Sequence, residues 1–250
     1  MNYNWSWRVF LDVSTDGVHT YLENFVIGTG WTLSLAFLAI ISALLIGSLV
    51  TLMRVGSIVV FQKIAVGYVE LLRNIPLIVQ MFLWYFVFPE ILPHSIGIAI
   101  KQMPQPWGSF APALLCLGIY GAARISEVFR AGIQSLPGGQ FQAATAIGLT
   151  QFQSFRYVIF PEALRIVIPT LTSEFVSAVK YSSVTYTIGL NEVTAQAKSM
   201  QEYTFHIFEA FAAAGVIYVV INWTIIFCMR ALERKLAVPG LLGSPAESVD

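Results

Sequence analysis

Residues 133–165 read IQSLPGGQFQAATAIGLTQFQSFRYVIFPEALR, a polar stretch set between apolar segments. Pro137, Gly138 and Gly139 predict a turn, because they break a helix and permit left-handed backbone. Gln142 to Ile147 reads as one or two helical turns, and Gly148 stands where such a helix ends in a left-handed cap. Thr150 is placed to cap a second helix, with Gln153 as its reciprocal partner three residues on. Pro161 predicts a break before the chain turns apolar again.

Outward from this stretch the chain is lipid-like. Of its 250 residues 56% are apolar and 11% charged, and mean hydropathy is +0.71. An average soluble domain carries roughly 25% charged residues. A fold with so few charges cannot cover a water-facing surface, so the class is an all-α integral membrane protein. Net charge is zero, which gives no reason to expect nucleic acid as a partner. Cys116 and Cys228 lie in apolar segments, and His19, His94 and His206 are scattered, so neither a disulfide nor a metal site is expected. Met1 to Glu23 has no apolar core of signal-peptide length, and the first apolar span is expected to direct insertion.

Read as one transmembrane domain over 1–250, the chain predicts spans at 24–53, 64–88, 111–132, 163–188 and 207–229. A polar loop, 134–162, separates the third from the fourth. In the first span Gly28, Gly30, Ser34, Ser42, Gly47 and Ser48 offer small faces for packing. Glu70 and Arg73 are spaced to pair at the start of the second, and Pro76 is expected to be tolerated inside it, its displaced backbone partner satisfied by neighbouring helices. Short helices are expected near Ser95 to Gln102 and from Glu192 to Met200, and a mobile tail from Pro239 onward. Near the end of the third span Glu127 can meet Arg124 or Arg130. The fourth span, with Arg165, Glu174, Lys180 and many hydroxyls, must be buried in the bundle or line a wet cavity.

Five spans put the termini on opposite sides. In one orientation Arg54, Lys63, Arg73, Arg130, Arg156, Arg165, Arg230, Arg234 and Lys235 face one side, against Arg8, Lys101 and Lys198 on the other. Nine against three predicts the N-terminus outside, the C-terminus inside and the 134–162 loop in the cytoplasm.

That loop resembles the coupling loop of binding-protein-dependent ABC importer permeases, whose signature runs Glu-Ala-Ala, three residues, Gly, nine residues, Ile, one residue, Leu-Pro. Ala143, Ala144, Gly148 and Pro161 match, while Gln142, Val158 and Phe160 stand for the Glu, Ile and Leu. The stretch YVELLRNIPLIVQMFLWYF, residues 68–86, resembles the polar amino-acid branch of the same family. The opening NWSW and the LTSE and AQA stretches are similar to glutamate/aspartate permeases.

The resemblance implies the five-helix core of the type I ABC importer permease fold in the bacterial inner membrane. It implies two ATP-binding subunits, a second permease (a related chain or another copy) and a periplasmic solute-binding protein, besides the lipid. No cofactor is expected on this chain, and ATP is expected on the partner, since no Walker-type phosphate loop is present. Gln142, Ala143, Ala144, Gly148 and Pro161 are then the residues expected to couple to the ATPase. Arg124, Glu174, Lys180, Ser182 and Ser183 are candidates for the path of a polar amino acid, cations meeting carboxylates and an acid meeting the ammonium. The alternative is a secondary amino-acid transporter without an ATPase, with Glu174 and Lys180 as ion-coupling groups. Against it stands the lack of two internal repeats.

Overall fold

The computed structural model describes residues 3–236. Helix α1 (Tyr21–Val55) starts at a capping box, in which Thr20 accepts the Glu23 N–H and Glu23 accepts the Thr20 N–H. Its 35 residues rise roughly 50 Å. Helix α6 (Trp107–Gln134) lies along it through a seam of small residues. A Cβ on Gly47 would come within 2.9 Å of the Ala122 carbonyl, one on Gly121 within 2.9 Å of Ala43, and one on Gly118 within 2.6 Å of the Ser42 hydroxyl. Of the small residues singled out above, Gly28, Ser42 and Gly47 are used in close contacts, whereas Gly30 faces open space.

The predicted second span, 64–88, is not one helix. Helix α2 (Val59–Asn74) stops at Ile75 and Pro76, and α3 (Leu77–Phe82) continues through a π turn, Leu83–Val87, into α4 (Phe88–Ile91). The two halves meet at 104°. Pro76 forces Ile75 into extended backbone (φ −97°, ψ 129°), so the helix cannot run through. Gln80, 2% exposed, repairs the break by donating from Nε2 to the carbonyls of Leu72 (2.7 Å) and Ile75 (2.9 Å). The expected Glu70–Arg73 pair is not made, since Arg73 points to Glu127 instead.

A short α5 (His94–Lys101) leads to α6. Beyond it come α7 (Gly138–Ala146) and α8 (Gln151–Ser154). A π turn, Phe155–Ile159, joins α8 to α9 (Phe160–Ser182), so Pro161 does not break the chain as expected. It sits in the first turn of α9, and the π turn before it accommodates the ring and the missing N–H without opening the helix. The predicted span 163–188 is α9 followed by a 3₁₀ turn, Ser183–Ile188, closed by Gly189 at φ +84°. Next come α10 (Val193–Thr204) and α11 (Ile207–Leu236).

By length and composition α1, α6 and α11 are long and apolar enough to cross a membrane, and the bent pair makes a fourth if taken as one span. Helix α9 packs against α1, α6 and α11, which shields Glu174, while Lys180 stays exposed. The tail expected from Pro239 onward lies outside the described residues.

Replacing Gln80 with Leu leaves the Leu72 and Ile75 carbonyls without their donor at nearly unchanged volume. A loss of about 1–3 kcal/mol is expected, measurable as a lower thermal midpoint of the purified protein. An unchanged midpoint would show that the bend holds without the amide.

Candidate functional site

The polar loop folds into a compact elbow. Helix α7 starts at Gly138 with Pro137 as its N-cap, and Gly138 and Gly139 lie inside its first turn rather than forming the expected separate turn. It ends as predicted at Gly148, φ +86°. The Gly148 N–H donates to Thr145 O (3.0 Å) and the Leu149 N–H to Ala144 O (3.1 Å), the paired bonds of a Schellman cap. Thr150 and Gln153 then form the predicted capping box of α8. Ala144 turns inward and is buried; Gln142, Ala143 and Gly148 are exposed, beside the exposed apolar side chains of Phe141 and Ile147. Pro161 is half-buried at the base of α9. Gln140 Nε2 donates to Glu162 Oε1 at 2.6 Å and ties α7 to α9, a contact no local spacing announces.

A second constellation lies between α6 and α9. Arg124 grips Glu174 with two parallel bonds, Nε to Oε2 at 2.7 Å and Nη2 to Oε1 at 2.9 Å, with side chains 33% and 13% exposed. The Tyr181 ring centre is 5.9 Å from the guanidinium carbon, and Tyr120 meets Tyr181 edge-on. The cavity beside this pair, with Ala39, Gly121 and Ala178 in its walls, holds only about 20 Å³. That is room for a water and not for an amino acid, so the space on this side of the pair admits no solute.

The other path candidates do not join it. Lys180 is exposed and makes no ion pair among the described residues. Ser182 donates to Val179 O (2.7 Å) and Ser183 to Lys180 O (2.6 Å), so their hydroxyls serve the switch from α to 3₁₀ backbone. Of its two expected partners Glu127 takes Arg130, and it gains two more that local spacing does not offer. It takes Arg130 at 2.8 Å, Arg54 from α1, and Arg73 from α2 at 3.8 Å, pinning three helices near the elbow, while Arg124 goes to Glu174.

At the far end of the bundle Glu192 is fully buried. It caps α10 by accepting the Ala195 N–H (2.9 Å) and takes the Tyr218 hydroxyl (2.7 Å). Burial pushes its carboxyl above the ordinary range, opposed by these hydrogen bonds. Gly28 of α1 lets this helix start approach, since a Cβ there would stand 2.8 Å from Gln196 Cγ. Among the described residues no three His, Cys, Asp or Glu side chains gather as a metal site.

Residues 43–238 match the family model described as "Binding-protein-dependent transport system inner membrane component". The glutamate/aspartate import permease protein GltJ of Escherichia coli (strain K12) is 43% identical over 97% of this chain and 99% of its own length. The nopaline transport system permease protein NocM of Agrobacterium fabrum is 36% identical over 78% of this chain and 80% of its own. The crystal structure of an amino acid ABC transporter with histidines superposes with a TM-score of 0.74, at 33% identity, over 86% of this chain and 95% of that one. The chain belongs to the binding-protein-dependent transport system inner membrane components, as an inner-membrane permease subunit of an amino-acid ABC importer whose ATPase is a separate subunit.

Proposed function

We propose that this permease moves glutamate and aspartate inward by alternating access, with the α7 elbow gripped by the ATPase. The observation that carries the solute is the near full-length similarity to GltJ. Similarity to the NocM permease, named for a different solute, is lower and shorter. The family assignment leaves the secondary-transporter alternative without support. The assembly that fits is this chain with a second permease, related or identical, two ATP-binding subunits that hold the ATP, and a periplasmic solute-binding protein.

In this reading the exposed face of Gln142, Ala143, Ala146 and Ile147, with the Gly148 cap, lies in a groove of the ATPase. Gln142 keeps the shape of the family's Glu and brings no charge, so this contact is made by fit and hydrogen bonds. Pro161 anchors the base of the elbow. Within the membrane, Arg124 and Glu174 are the groups a dicarboxylic amino acid must separate. Its carboxylate competes for the guanidinium and its ammonium for the carboxylate. The closed pair is the resting state, and opening α6 from α9 admits the solute. Lys180, Ser182 and Ser183 take a lesser part in this scheme, on a neighbouring face.

Charge reversal tests the pair. Arg124→Glu or Glu174→Arg alone sets two like charges against each other between α6 and α9 and should abolish uptake. The double swap should restore membrane abundance without restoring uptake. Recovered uptake would make the pair a scaffold only.

Gly148 tests the elbow. Nothing lies within 4 Å of a Cβ there, so the cost of a side chain in the free chain is the left-handed backbone alone. That cost is about 1 kcal/mol or more, and least for Asn. Gly148→Val should leave membrane abundance unchanged and depress solute-stimulated ATP hydrolysis more than Gly148→Asn does. Full hydrolysis and uptake in Gly148→Val would leave the elbow without a coupling role.

Orientation is tested by fusions. A reporter active only in the periplasm should work when fused after Met103 and be silent after Gln140. The reverse pattern would put the elbow out of reach of any cytoplasmic ATPase.

A further inference from the structure

A roomy apolar pocket lies away from the ion pair. It lies between α1, α6 and the α8–α9 connection, and holds about 340 Å³. That volume is within the range of small-molecule sites. Its floor is the buried Thr51 and Ala163 with the half-buried Ser48, and Phe129 and Phe155 form walls. Leu52, Phe152 and Phe160 are exposed at the rim. The π turn Phe155–Ile159 supplies one side, a backbone form that recurs at functional sites.

One cation stands at this apolar mouth. Arg156 is exposed, and among the described residues no carboxylate pairs with it. Its guanidinium carbon lies 5.9 Å from the ring centre of exposed Tyr157. A basic side chain at the rim of an apolar groove, with an exposed aromatic one beside it, is the arrangement of a membrane–water boundary. A basic group beside a groove between spans suits an anionic lipid headgroup.

We infer that this pocket binds one acyl chain of an anionic phospholipid, with its phosphate on Arg156. The pocket touches α1, α6 and the base of α9 directly after the elbow, so its occupant stiffens the joint between α7 and the bundle. ATP hydrolysis then depends on the anionic lipid fraction. This consequence for hydrolysis rests on the coupling role proposed above; lipid binding does not.

The test places the assembled transporter in nanodiscs of equal phosphatidylglycerol and phosphatidylcholine and reads retained lipid by native mass spectrometry. The wild type should retain phosphatidylglycerol preferentially. Arg156→Gln should lower that retention about fivefold, and Arg156→Lys should preserve it. Ser48→Leu, which fills the floor, should remove the bound lipid. Equal retention of both lipids by the wild type would overturn the headgroup assignment. Retention unchanged in both Arg156→Gln and Ser48→Leu would overturn the site, as would no retained lipid because a second permease covers the groove. Hydrolysis should rise with phosphatidylglycerol in the wild type and not in Arg156→Gln. Retained lipid without that rise would overturn the regulatory consequence and leave the binding site standing.

Discussion

Helices in hydrocarbon gain little by hiding apolar side chains from one another, so they hold together by close contact. The α1–α6 seam is where this constraint is met most tightly. Gly47 against Ala122, Gly121 against Ala43 and Gly118 against Ser42 bring two backbones together at spacings that any larger residue would forbid. Everything else is hung on this pair. Helix α2 is held to it by Tyr68 donating to Ile119 O (2.7 Å), α9 crosses it at Gly132, and α10 seats on α1 at Gly28.

The second constraint is that no backbone carbonyl can be left bare in lipid. It explains why the departures from regular helix are repaired locally. The Pro76 bend borrows the Gln80 amide. Both π turns keep the chain helical where a proline follows, at Pro89 and at Pro161, rather than letting it open into a loop.

What was legible in the sequence was local. The Gly148 cap and the Thr150–Gln153 box depend on residues within a few positions of each other, and both formed as read. Ion-pair partners on other helices were not legible. Arg124 and Glu174 lie fifty positions apart; helical spacing offered Glu127 to Arg124 or Arg130, and while the Arg130 pair formed, Arg54 and Arg73 also reach it from other helices. Prolines misled in two directions. Pro76 was read as tolerated inside one span and bends it by 104°, while Pro161 was read as a break and is absorbed. The difference lies in the preceding residue, extended at Ile75 and helical at Phe160, which the sequence alone does not announce. The hydroxyls of Ser182 and Ser183 looked like a polar track and are spent on their own backbone.

The bond between Gln140 and Glu162 has a mechanical meaning. It fastens α7 to the root of the helix that carries Glu174, so elbow and ion pair are joined along α9, with Pro169 between them. From Phe160 to Glu174 that helix is roughly 20 Å long. Rocking it by about ten degrees at its root displaces the carboxylate by roughly 4 Å, more than the length of the bonds that hold it to Arg124. In the coupling scheme proposed above, a push on the elbow would act on this grip by leverage.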